Sequence, residues 1–280
     1  MAAATSFASL AATAQLTEGK IIFERKMNMH KSLPPEAEQM KAMIPEFQTS
    51  KMELSFKGQQ SLYKPYKTDD DDMPSTDQGG GGGGGMRMMR FGGGGDGISF
   101  KDYEKDTKTD IRELGPKKYL LDDSLKHYSW KLGKDTMTIL GHLCHSATTV
   151  IKGGIMGAVR MRFGGGNRGG GNNGSSDSTR RAPQPSQDQT AVAWYADDIA
   201  SSSGPDDFGG LPGLILKVDI DNGTLVFNPL GFEKDAGTVK APSSGKKITR
   251  EEYNALAGQQ IGNMRRGGGG NGGGQVNIRQ

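Results

Sequence analysis

The sequence predicts a mainly β protein: an antiparallel sheet with one or two short helices, interrupted by long glycine-rich insertions. Three observations carry that prediction. Apolar residues alternate with polar ones at period two in several separate stretches, one stretch reads as an Asn-Gly hairpin, and helical periodicity is confined to two short segments. Of the 44 glycines, 26 lie in three tracts, 79–97, 164–174 and 267–274, which together hold only 38 residues. The remainder of the chain therefore carries glycine at an ordinary globular frequency and has the means to fold.

Along the chain, Ile21, Phe23, Met27 and Met29 fall on one side of an extended stretch over 20–30. Met52, Leu54 and Phe56 do the same in 51–57, and Tyr128, Trp130 and Leu132 in 126–132, with Met137 and Ile139 continuing toward Cys144. In 190–199, Val192 and Trp194 oppose Ala193 and Tyr195. Leu214 to Ile220, then Asp221-Asn222-Gly223, then Thr224 to Asn228 is the hairpin, because Asn-Gly accepts the positive φ angles of a tight turn.

Two helices are expected. Pro34-Pro35 opens a short one with Met40, Met43 and Ile44 on one side, and Pro45 stops it. Over 249–260, Thr249 and Glu252 form a capping box, with Ile248 placed to staple onto Tyr253. No strand–helix–strand alternation is present, which argues against a doubly wound nucleotide-binding fold.

Each glycine tract has a Met/Arg cluster, Met86 to Phe91 within the first, Arg160 to Phe163 just before the second and Met264 to Arg266 just before the third. Such segments bury too little apolar surface to offset the entropy of ordering glycine, so disorder is expected near 75–97, 153–190 and 263–280. A single domain over 19–262 remains, its strands lying within 19–233.

A net charge of +3, from 35 basic and 32 acidic residues, suggests no strong attraction to nucleic acid. One cysteine, Cys144, excludes an internal disulfide and a cysteine-based metal cage. The chain has no apolar run long enough for a transmembrane helix. Residues 1–18 are expected to be a signal-peptide remnant or a disordered leader, and Ala12-Thr13-Ala14-Gln15 has the small-x-small pattern of a signal-peptide cleavage site.

No catalytic constellation emerges, and no cofactor is expected. Ser244-Gly245-Lys246-Lys247 lacks phosphate-loop spacing, and the turn at Asp219, Asp221 and Gly223 is too short for a calcium loop. His142, Cys144 and His145 are weak metal candidates. In a strand the first two share a face and the third points away, whereas zinc asks for four ligands. Soft methionine thioethers in the tracts add a copper-handling alternative.

The stretch 194–216 is the most specific in the chain. Trp194-Tyr195-Ala196-Asp197-Asp198-Ile199 leads through Gly204-Pro205 to Phe208-Gly209-Gly210-Leu211-Pro212-Gly213-Leu214-Ile215-Leu216. It resembles the signature of the GLPGLI family, exported proteins of Bacteroidota-type bacteria. Gly19 to Phe23, the block Trp130-Lys131-Leu132, Ile139-Leu140-Gly141 and Cys144 to Ala147, and Ile248-Thr249 with Glu252-Tyr253 match further features in order. Two departures stand out: roughly forty residues separate the cysteine strand from the Trp-Tyr strand, and His142 stands where an aromatic is common.

The resemblance implies export to the periplasm or outer-membrane face and a curved sheet or half-barrel similar to lipoprotein carriers of the LolA type and to lipocalins. It also implies a partner in the envelope, an outer-membrane TonB-dependent receptor or another envelope protein. The function expected is that of a non-catalytic envelope binding protein that holds a lipid-like apolar ligand or docks such a partner. Its candidate site is Trp194, Tyr195, Gly204, Pro205, Gly210, Leu211, Pro212, Gly213, Leu214 and Ile215, read either as a sharp corner feeding a core strand or as the mouth of an apolar cavity.

Overall fold

A computed structural model describes residues 15–31, 35–66, 97–153 and 187–267. The leader before Gln15, the acidic run Asp69–Asp72 and most of each glycine tract lie outside the described residues.

The described residues form a twelve-stranded, open, curved sheet. In chain order the strands are β1 (Glu18–Asn28), β2 (Phe47–Lys57), β3 (Gln60–Pro65), β4 (Ile98–Asp102), β5 (Thr107–Leu114), β6 (Lys117–Ser124), β7 (Lys131–Ile139), β8 (His142–Ile151), β9 (Gln189–Ala196), β10 (Leu214–Ile220), β11 (Leu225–Glu233) and the two-residue β12 (Lys246–Lys247). Their spatial order is β12-β6-β5-β4-β3-β2-β1-β11-β10-β9-β8-β7, and every pairing except β12 with β6 is antiparallel. The mainly β expectation is met.

A short 3₁₀ helix, Pro35–Met43, stands where Pro34-Pro35 and Pro45 bracket a helical stretch. The only long helix among the described residues, α1 (Arg250–Gly267), starts on the expected capping box. Glu252 N–H donates to Thr249 Oγ1 at 3.1 Å and Thr249 N–H to Glu252 Oε2 at 3.0 Å. It runs past the expected end into the first residues of the segment read as a disordered tail. The reason is local: Met264, Arg265 and Arg266 are good helix formers, and the glycine run begins only at Gly267. No helix among the described residues is long and apolar enough to cross a membrane, which says nothing of a β-barrel.

Directly opposed residues in antiparallel strands share a face. One face therefore carries the row Ile21, Leu54, Tyr63, Ser99, Asp110, Leu121 across β1 to β6, and beside it the row Phe56, Ser61, Lys101, Lys108, Asp123. From Arg25 the same face continues through Phe227, Val218, Ala193 and Ala147 into β8. This inner face is apolar over β1, β2 and β9–β11, largely polar over β3–β5, and apolar again at Tyr119 and Leu121 of β6. Register shifts at Ile22/Phe23, at Ile215/Lys217 and at Leu132/Thr136 add the local bending that β-bulges produce.

The predicted hairpin is β10–β11, with Asp221, Asn222 and Gly223 all at positive φ. Strand 126–132 is a correction. Residues 125–130 leave the sheet and cross the inner face, and β7 begins at Lys131. Tyr128 and Trp130 still point to one side, but toward the loop that follows β9, because their rings pack on Phe208 with centroids 5.1 and 6.3 Å away.

Phe227 is wholly buried, and its ring lies 6.2 Å from that of Phe208, so it joins the sheet to the loop. Phe227→Ala is expected to cost about 3–5 kcal/mol of unfolding free energy, read by denaturant titration.

Candidate functional site

The residues 197–213 that join β9 to β10 lie on the inner face, and the sequence explains the path they take. Phe208 N–H donates to Pro205 O at 3.1 Å, closing a turn with Asp206 at φ 51°. Ile215 N–H donates to Ser203 O at 2.9 Å and Gly210 N–H to Ser202 O at 2.8 Å, which fold the loop back on itself. Glycine is required by space at two points. A Cβ on Gly213 would sit 2.1 Å from Ala196 O, and one on Gly209 would sit 1.9 Å from Tyr103 Oη. Leu214, Ile215 and Leu216 then enter the core with no exposed surface. Trp194 is half-buried and Tyr195 buried, and the neighbouring Pro205, Leu211 and Gly213 are buried while Gly210 is exposed at positive φ.

What holds the loop is a lysine that sequence reasoning missed. Lys101 on β4 is 1% exposed, and its ammonium donates to three loop carbonyls: Gly204 O at 3.0 Å, Asp206 O at 2.7 Å and Phe208 O at 3.2 Å. All three of its N–H groups are thereby used. Burial pulls its pKa down to about 8, with the charges of Asp207 and Asp206 opposing that fall. Trp130 Nε1 donates to Gly209 O at 2.9 Å and Tyr103 Oη to Phe208 O at 3.4 Å, so the loop's carbonyls are met by donors from β4, its following turn and segment 125–130.

Around this anchor lies a dense set of charges. Lys108 on β5 pairs with Asp207 of the loop, and also with Asp110 Oδ2 at 3.2 Å. Asp110 is fully buried and further engages Arg250 of α1 at 3.2 Å and Arg112 at 3.5 Å. Arg250 Nε donates to Asp123 at 2.6 Å, which seats the start of α1 on β5 and β6. Burial pushes the Asp110 carboxyl up, but Lys108 and Arg112 hold it below its usual range. Asp206 goes the other way: burial and the Asp207 charge push it up, against Arg25 and Lys108.

Several polar atoms under the loop lack a formed hydrogen bond among the described residues. They are Arg25 Nε, Ser61 Oγ, Tyr63 Oη, Ser99 Oγ and Asp110 Oδ1. Their nearest partners are at hand: the Asp206 backbone lies close to Tyr63 and the Asp110 carboxylate close to Ser99.

The metal candidates are not brought together. His142 Nδ1 lies 2.7 Å from Asp198, with its ring edge-on to Phe232, while His145 Nε2 lies 3.5 Å from Asp197. Cys144 is fully buried between them, and burial pushes its thiol up to about 11. Among the described residues no group of three or more His, Cys, Asp or Glu could hold a metal ion. The Met/Arg clusters at 86–91 and 160–163 lie outside the described residues.

Lys101→Met would take the ammonium donor from three loop carbonyls, leaving Phe208 O only its longer bond from Tyr103 Oη, each lost partner costing about 1–3 kcal/mol. The expected result is a loss of several kcal/mol together with faster amide exchange in 200–213 than in the sheet. Asp110 supplies a pH prediction. A carboxylate held below its unfolded value near 3.8 contributes stability that is present above that value and is lost as pH falls through the lower, folded one. Unfolding free energy should therefore drop as pH falls below about 4, and Asp110→Asn should flatten that acid limb.

A family model described as "Protein of unknown function (Porph_ging)" matches residues 130–217, from Trp130 through the loop and into β10. Among curated proteins nothing matches. Two solved structures are similar at a low level: that of PNGF-II in a C2 space group, with TM-score 0.48 and 13% identity, and in a P21 space group, with TM-score 0.48 and 12% identity. Each covers 86% of this chain, and this chain spans about a third of their length, 32% and 33%.

Proposed function

We propose that this chain is a non-catalytic binding protein of the bacterial envelope, of the GLPGLI type, whose inner face and the loop 197–213 hold an apolar ligand or dock an outer-membrane partner. One observation carries the reading: the most distinctive sequence in the chain is spent on seating a loop over the inner face. Its polar groups point to Lys101, Lys108 and Trp130, and its ring at Phe208 stacks on Tyr128 and meets Phe227 edge-on. The titratable groups at the site are engaged with one another or with backbone, a disposition suited to holding shape. The family match over 130–217 supports the same assignment, since it covers this loop and the strands on either side of it.

The ligand reading puts the apolar half of the inner face, around Phe56, Phe232 and Phe227, in contact with a lipid-like molecule, with Phe208 as the side chain that yields to it. Export is supported by the Ala12-Thr13-Ala14 pattern, and the partner expected is an outer-membrane receptor or another envelope protein. Native mass spectrometry of the protein purified from its own envelope fraction tests the proposal. A co-purifying lipid or protein is expected, retained when the three glycine tracts are deleted and changed in amount by Phe208→Ala. Isolation of the bare chain, with no lipid adduct and no partner on crosslinking in the envelope, would overturn it.

A further inference from the structure

The charge cluster beneath the loop contains an arrangement that a structural ion pair does not need. Lys108 is 7% exposed at its side chain, and its amine touches the carboxyl of Asp207 on one side. On the other side Asp110, with no exposed side-chain surface, lies 3.2 Å away. The first two residues are separated by 99 positions along the chain. Removing a charge pair from water costs several kcal/mol per ion, and a pair this buried recovers that cost only with full hydrogen bonding. Here Asp110 Oδ1 has no formed bond among the described residues.

We propose that Lys108 and Asp207 condense to an intramolecular amide, an isopeptide bond that ties β5 to the loop, with Asp110 as the proton relay. A proton first passes from the Lys108 ammonium to the Asp207 carboxylate, leaving a neutral amine beside a neutral acid. The amine lone pair then attacks Cγ of Asp207. Asp110 accepts a second proton from the nitrogen and delivers it to the departing hydroxyl. The C–O bond breaks, one water leaves, and the nitrogen keeps one hydrogen. No oxidant, metal or co-reactant enters, and one positive and one negative charge disappear from the interior.

Three features of the fold favour the step. Proximity is already established, because the loop is held to β4 independently of Asp207: Lys101 spends its three N–H groups on Gly204, Asp206 and Phe208, which presents the intervening Asp207 to Lys108. For the same reason Lys101 is not itself the nucleophile. Asp110 stays ionised at neutral pH, as a proton acceptor must. Finally, the only thiol is the buried Cys144, so no disulfide is open to a chain that seals a long loop in this way.

The test is the mass of the full chain under denaturing conditions, with its N-terminus mapped. The expected value is lighter than the linear sequence by one water, and a tryptic digest should contain one branched peptide joining Lys108 to Asp207. Lys108→Met and Asp207→Ala should restore the linear mass. Asp207→Asn should lose the mass of ammonia in place of water, since a carboxamide expels its nitrogen. Folded Asp110→Ala should accumulate the unlinked form. A wild-type chain at its linear mass, with separate peptides covering Lys108 and Asp207, overturns the proposal whatever the variants do.

Discussion

A single ammonium, that of Lys101, sets the terms for the middle of this protein. A lysine pointing into the inner face of a sheet must find three acceptors or forfeit several kcal/mol of solvation. Neighbouring strands cannot offer them, because their carbonyls are spent in the ladder. The chain answers by bending residues 197–213 over the face so that three of their carbonyls converge on Nζ. The glycines, the proline turn and the positive φ at Asp206 then follow as conditions for bringing that backbone close enough. The aromatic cluster of Tyr128, Trp130 and Phe208 closes the same region from the apolar side.

Much of the apolar half of the fold is legible in the sequence. β1, β2 and the β10–β11 hairpin announce themselves because their inner residues are hydrophobic and alternate: Ile21 and Phe23, Met52 to Phe56, Leu214 to Phe227. Strands β3 to β5 do not. Their inner residues are Ser61, Tyr63, Ser99, Lys101, Lys108 and Asp110, so the periodic signal that marks a half-buried strand is inverted there. In β4 and β5 the polar residues read as the solvent side, yet they face the loop. Only the tertiary pairing of Lys108 with Asp207, a long way along the chain, makes sense of them.

The site is legible in a similarly divided way. The loop's glycines and Pro205 mark a tight corner in the amino-acid sequence itself, and the fold supplies the reason: only a backbone without Cβ passes that close to Ala196 and Tyr103. Its anchor and its counter-charges come from β4, β5 and α1, which share no motif with it. His142, Cys144 and His145 show the converse. Their spacing draws attention, but the fold gives each histidine its own aspartate and buries the thiol.

The strand directions carry a consequence for how this chain can change over generations. Pro65 at the end of β3 and Ile151 at the end of β8 lie toward the same edge of the sheet as Asn28 and the Asp221-Asn222-Gly223 turn. The two long glycine-rich segments leave and return at that edge, each between strands that pair as neighbours. The loop 197–213 belongs to the opposite edge, where Leu16 bridges Ile199. Lengthening a hairpin connection costs only about 0.6 kcal/mol per doubling. Insertions, deletions and repeat slippage can therefore accumulate along one rim while the other is kept residue by residue. Related chains should differ most in size at the first rim and agree most closely in sequence at the second.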